Sequence, residues 1–266
     1  MISQTVINVF ISMIIVGICA PTVLAIIWNV KNRQKISITL IGAAVWFVFA
    51  IVLETFPKLI LFQNNNPIGK AVMSNAVLVS VIGGLLAGIF EETGRFLAFG
   101  LLIKNRNRKT SITYGIGHGG FEALYLLVIG GVQNLSYAIM INNGQFDELL
   151  RKTLAVSFEQ YARLASIPAM MKETSFLTLG ISSMERVSAI IIHISCSILV
   201  YVAVKSKGKK WLYPLAILLH ASVDLFAGLF QVGLMSNLYL FEVLLLVWAI
   251  AMFITVLKTV YYKYKE

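Results

Sequence analysis

The chain has 266 residues, 58% of them hydrophobic and only 13% charged, with a formal net charge of +10 and a mean hydropathy of +0.83. That balance excludes a soluble globular domain, because several runs exceed the roughly 20 apolar residues needed to cross a hydrocarbon core of about 30 Å. It also argues against a nucleic-acid partner: the lysines and arginines sit in short polar gaps between apolar runs, the positive-inside pattern of a multi-pass membrane protein.

Taken in order, seven spans fit best. The first runs from about Thr5 to Val30, with Pro21 tolerated as a kink, and is expected to be retained as a span and not cleaved as a signal. Lys31, Arg33 and Lys35 follow it. The second covers about Ile36 to Phe62, carries Glu54, Pro57 and Lys58 near its end, and leads into a turn-rich loop from Gln63 to Pro67. The third extends from about Ala71 to Ile103 and is closed by Lys104, Arg106, Arg108 and Lys109. The fourth, about Ser111 to Ile141, is glycine-rich at its start. Residues 142–172 are the one substantial extramembrane segment. In it Phe146, Leu149, Leu150, Leu154, Phe158, Tyr161 and Leu164 recur at helical spacing, predicting an amphipathic helix. The fifth span covers about Phe176 to Val204, before Lys205, Lys207, Lys209 and Lys210. The sixth runs from Trp211 to Val232 and the seventh from Leu238 to Leu257, with Lys258, Lys263 and Lys265 after it.

Fourteen of the 22 basic residues fall in the gaps after spans one, three, five and seven. The N-terminus is therefore expected outside and the C-terminus in the cytoplasm. The expected fold class is an all-α integral membrane protein of the cell membrane, a bundle of about seven transmembrane helices with an amphipathic extracytoplasmic helix. Residues 1–266 read as a single polytopic membrane domain with a catalytic core at about 71–232. Cys19 and Cys196 both fall inside spans, which argues against a disulfide framework.

Two phrases gather the chemistry: Ala87-Gly88-Ile89-Phe90-Glu91-Glu92-Thr93-Gly94-Arg95-Phe96 and Tyr114-Gly115-Ile116-Gly117-His118-Gly119-Gly120-Phe121-Glu122. A charged group near the bilayer centre costs at least ~3 kcal/mol on insertion scales, so ionisable residues in such segments are functional candidates. At 1.5 Å rise per residue, Glu92, Arg95, His118, Glu122, His193, His220 and Asp224 lie between about 10 and 20 Å from the basic ends of their helices. Four helices thus place polar groups in one layer, as a single site requires. Glu91 and Arg95 are four apart, the spacing of an ion pair that leaves Glu92 free. His118 with Glu122 and His220 with Asp224 share that spacing, at which a carboxylate can orient an imidazole. The glycines at 115, 117, 119 and 120 allow close helix packing or close substrate approach.

Two chemistries fit. In one, a glutamate acts as general base on water while histidines and Asp224 stabilise the oxyanion, and no cofactor is needed. In the other, His118, His193 and His220 hold a zinc ion and a glutamate deprotonates its water. HExxH is absent, so a zincin-type site is set aside. Both chemistries need water, and a cavity opening to the cytoplasmic side is expected. A proton-coupled transporter is the competing class, and a catalytically silent membrane scaffold a third. Blander readings apply to single residues: Glu54 and Glu242 as paired or interfacial carboxylates, Glu185-Arg186 as an ion pair between helices, and Tyr114 as an interfacial anchor.

Glu91-Glu92-Thr93-Gly94-Arg95, the Tyr114–Glu122 phrase, Glu185-Arg186 with His193, and His220-Ala221-Ser222-Val223-Asp224 resemble the YhfC family of intramembrane proteases. That family is similar to the PrsW proteases and the CAAX-processing and bacteriocin-processing superfamily. The resemblance spans residues 86–224 in order. It implies an intramembrane endopeptidase acting on a membrane protein or peptide substrate in or beside the lipid bilayer. Glu91 or Glu92 would activate the water, His118 would assist, and His220 with Asp224 would support the oxyanion. Arg95, Glu122, Tyr114, Glu185 and Arg186 would be supporting residues. The CAAX proteases put three residues between the glutamate pair and the arginine, whereas two separate Glu92 from Arg95, which leaves the choice of base open. His193 has no counterpart in the minimal superfamily pattern, so metallo and glutamic mechanisms both stand.

Overall fold

In lipid no water satisfies the backbone, so apolar runs of this length must pair every N–H and C=O within their own segment and fold as helices. The computed structural model describes residues 1–104 and 107–263; Arg106 and Lys265, counted above among the basic residues, lie outside the described residues. Among the described residues there is no strand, and seven helices are long and apolar enough to cross a membrane. In chain order these spans are α1 (Gln4–Asn32); α2 (Ile36–Trp46) with a π-helical run Phe47–Leu53 and α3 (Thr55–Leu61); α5 (Ala76–Leu97) with a π-helical run Ala98–Leu102; α6 (Arg108–Asn142); α9 (Phe176–Lys205); α10 (Leu212–Gln231); and α11 (Leu238–Val256) with a π-helical run Leu257–Tyr261. Short helices α4 (Pro67–Met73), α7 (Phe146–Leu154) and α8 (Phe158–Lys172) connect them.

Local chemistry sets the boundaries. α1 keeps Pro21 inside it and stops where Arg33 turns left-handed (φ 53°), which lets the Gln34 N–H close on the Asn29 carbonyl at 2.9 Å. The third span begins five residues later than expected. The Asn75 side chain accepts from the Val77 and Leu78 N–H groups at 2.9 and 3.1 Å, capping α5 and leaving 67–73 as a separate helix. The amphipathic stretch likewise folds as two helices, divided where the Ser157 hydroxyl accepts from the Gln160 N–H at 3.3 Å.

The chain forms two compact units, residues 1–21 with 123–183 and residues 22–122 with 184–266. The first has its own small core of Ile2, Val6, Phe10, Ala138 and Met171. Its N-terminal turn is fastened by the Asn142 side chain, which accepts from the Ile2 N–H at 2.7 Å and donates to the Ile2 carbonyl at 3.0 Å.

The second unit carries the chemistry. Within it α5 lies directly along α10: a Cβ on Gly88 would stand 2.7 Å from the Ile217 carbonyl oxygen, and one on Gly84 2.5 Å from that of Ala221. The glycines of α6 act in the same way toward α9, since a Cβ on Gly115 would meet the Ile194 Cα at 2.7 Å. Small residues permit this backbone approach, on which helix association depends where no hydrophobic drive exists. Residues 192–203 of α9 are buried almost without interruption, so its polar side chains face neighbouring helices and not lipid.

Candidate functional site

Four helices of the second unit meet at a polar centre. α5 contributes Glu91, Glu92 and Arg95; α6 Tyr114, His118 and Glu122; α9 Glu185, Arg186 and His193; α10 His220 and Asp224. Glu92, Arg95, Tyr114 and His118 are fully buried, and Glu91, His193 and His220 are buried. Burying this many ionisable groups costs several kcal/mol per ion unless each is paired, and here nearly every one has a partner.

The two adjacent glutamates are separated by function. Glu92 forms the ion pair with Arg95, three residues on, through Oε1 and Nη1. The same Oε1 accepts from His220 Nδ1 at 2.7 Å. This corrects the expected Glu91–Arg95 pair: the arginine takes Glu92, and Glu91 is the carboxylate left for the centre. Glu91 Oε2 lies 2.9 Å from His118 Nε2, 3.9 Å from His193 Nδ1 and 3.9 Å from His220 Nε2. Three imidazoles from three helices thus point one nitrogen each at a single carboxylate oxygen.

Further contacts hold the rings. Arg95 Nη2 lies 3.0 Å from His193 Nδ1, and a guanidinium can only donate, so Nδ1 accepts and the ring proton of the neutral form sits on Nε2. That Nε2 donates to Glu122 Oε2. Glu122 therefore orients His193 on the neighbouring helix and not His118 on its own, a second correction to the i,i+4 reading. Arg186 holds Glu122 in turn, with Nη1 to Oε1 at 2.9 Å, and its Nη2 pairs with Glu185. Asp224 Oδ2 stands 3.3 Å from His220 Nε2, as its spacing predicts. Tyr114 is no interfacial anchor: fully buried, it packs on Phe99 with ring centroids 4.8 Å apart and places its hydroxyl 3.5 Å from His118 Nδ1.

The donor set suits a metal ion. One ligand atom each from Glu91, His118 and His193 falls within a span of 4.8 Å, and imidazole with carboxylate is the ligand chemistry of zinc. Arg95 would have to release His193 Nδ1 for that nitrogen to ligate, and Glu122 on Nε2 then supplies the carboxylate–imidazole support that ligating histidines use. Of the three histidines expected to hold zinc, His118 and His193 thus share this set with Glu91. His220 approaches the same oxygen while its ring is held between Glu92 and Asp224. A second set, Glu92 with Cys196 and His220, is less suitable because Arg95 already neutralises Glu92.

Two further carboxylates lie close to the site. Glu54 is buried and paired with Lys58 Nζ at 2.8 Å, yet lies within electrostatic reach of Asp224 and His220. It follows the π-helical run Phe47–Leu53, and its N–H bonds back to Phe49 O at 3.0 Å, a wide turn that changes which face the residue presents. Glu242 is buried near Glu185 and Arg186.

The site is closed on the side where an opening was expected. One turn from the imidazoles toward the lysine-rich helix ends, Tyr114, Cys196 and Ala216 are all fully buried.

A model of the YhfC intramembrane metalloprotease family matches residues 12–245. The chain is 32% identical over 221 residues to the uncharacterized membrane protein YhfC of Bacillus subtilis (strain 168), covering 82% of this chain and 83% of the relative. No solved structure matches.

Proposed function

The chain belongs to the YhfC intramembrane metalloprotease family, and from that premise we propose that it is a membrane-embedded endopeptidase in which Glu91 takes the proton of the attacking water. The carrying observation is the convergence of His118 Nε2, His193 Nδ1 and His220 Nε2 on Glu91 Oε2, while Glu92 is committed to Arg95 and His220. A zinc ion at this donor set would have His118 and His193 as ligands and supply Lewis-acid polarisation of the water and the scissile carbonyl, with Glu91 beside it left as the base.

The chain's own residues do the rest. His118, fixed between Glu91 and Tyr114, presents Nε2 to the reacting centre. His220, held at Nδ1 by Glu92 and with Nε2 3.3 Å from Asp224, is placed to carry a proton, and its Nε2 would hydrogen-bond a developing oxyanion on leaving Asp224. Arg95 lends positive charge from behind without facing water, since its side chain is fully buried. Glu122 and Arg186 keep His193 in one orientation. Partners in this reading are the lipid bilayer and a membrane protein or peptide substrate, and the termini lie as the positive-inside rule directs, the C-terminus in the cytoplasm.

The test is cleavage of membrane-protein and peptide substrates by the purified protein in liposomes. Loss of cleavage in Glu91→Gln and His118→Ala, with both variants still folded, is the expected result. Cleavage unchanged in both would remove the peptidase reading.

A further inference from the structure

The geometry points to a site that is entered from the helix ends opposite the lysine-rich ones, so that the substrates are polypeptide segments presented on the extracytoplasmic side. This rests on the peptidase reading for what enters, on the structure for which helix ends are open, and on the positive-inside rule for the side of the membrane they face.

Exposure changes in the same direction on three helices. Four residues beyond His118, toward the far end of α6, Glu122 has 14% of its side chain exposed. Seven and eight residues before His193, Arg186 and Glu185 on α9 have 14% and 34%. Four residues beyond His220 on α10, Asp224 has 36%. In the other direction Tyr114 on α6, Cys196 on α9 and Ala216 on α10 are fully buried.

A plug explains the difference. Phe99 stands 4.8 Å from the Tyr114 ring and 5.6 Å from that of Tyr201, joining α5's π-helical end, α6 and α9 in one aromatic layer beneath Arg95. All three rings are buried. The lysine-rich ends meet below that layer, where Arg108 lies over Tyr261 at 5.3 Å and Lys205 over Tyr201 at 5.7 Å. On the opposite side the partly exposed residues are charged: Asp224, Glu185, Arg186 and Lys58, the last 43% exposed and paired with the buried Glu54. Charged side chains partly exposed at membrane depth require water, whereas a buried aromatic layer excludes it.

Side-specific thiol labelling tests this without needing any cleavage. In a Cys19→Ser background, Lys58→Cys, Glu185→Cys and Asp224→Cys would be exposed to a sulfonated, membrane-impermeant maleimide in intact cells and in inside-out vesicles. Lys207→Cys marks the lysine-rich face, and native Cys196 and Tyr114→Cys report on the plug. The expected pattern is that at least positions 58 and 185 label from the face opposite to Lys207→Cys, while Cys196 and Tyr114→Cys label from neither. Labelling of Cys196 or Tyr114→Cys from the Lys207 face overturns the proposal. So does labelling of positions 58 and 185 from that face alone, or their failure to label in folded protein. An inactive protein with the expected labelling would remove the peptidase and keep the entrance.

Discussion

Replacing Glu92 by glutamine tests the division of labour between the adjacent glutamates. The change leaves the shape intact but removes the negative charge facing Arg95, whose side chain is fully buried and cannot recruit water. Breaking a buried pair by neutralising one partner costs about 3–5 kcal/mol. The amide oxygen can still accept from His220 Nδ1, so the lower end, about 3 kcal/mol, is expected. For a chain of this size that corresponds to a fall in unfolding midpoint of roughly 6–12 °C. Glu91→Gln is the control: its carboxylate faces imidazoles that can be neutral, and an amide oxygen still accepts from His118 Nε2. Its midpoint should stay within about 2 °C while cleavage falls by about 10²–10⁴, the usual worth of a general base. The assay is thermal unfolding in detergent followed by tryptophan fluorescence, alongside cleavage in liposomes. A double variant, Glu92→Gln with Arg95→Met, should recover part of the lost stability, because it removes the unpaired buried charge while the amide oxygen still accepts from His220 Nδ1. Equal destabilisation by Glu91→Gln and Glu92→Gln would refute the assignment of Arg95 to Glu92.

Metal analysis of protein purified without chelators should find about one zinc per chain, with His193→Ala and His118→Ala binding far less; equal zinc in both variants would exclude them as ligands. Glu122→Gln should weaken metal binding by about 10–100-fold through His193, measured by competition with a chromogenic chelator, without removing any ligand. Gly88→Leu should prevent α5 from seating on α10, where even a Cβ would stand 2.7 Å from a backbone oxygen, and is expected to abolish monodisperse folded protein in size-exclusion chromatography. Asn75→Ala removes the α5 cap and should cost only about 1 kcal/mol, seen as a small midpoint shift with cleavage retained.

Residue order alone is enough for the helical class, the seven spans and the acidic and imidazole groups that gather, because these follow from local quantities. Lipid forbids unpaired backbone, and apolar stretches of span length declare themselves. Imidazoles and carboxylates there are costly enough to stand out singly. It also carried the glycines that let helices touch. Helix packing, by contrast, settles which carboxylate faces which base. Glu91 and Glu92 are neighbours on one helix, and i,i+4 spacing favoured Glu91 for Arg95, but the rotation of α5 against α6 and α10 gives Arg95 to Glu92 and turns Glu91 inward. The same holds for Glu122, whose in-helix neighbour His118 is claimed across the helix gap by Glu91, leaving Glu122 for His193. Spacing along one helix fixes only which side chains share its face. Pairing across helices depends on axial rotation and on π-helical runs such as Phe47–Leu53, which no hydrophobic period reveals. The sealed floor of Phe99, Tyr114 and Tyr201 comes from residues distant in sequence, each of which reads alone as one more apolar or interfacial ring.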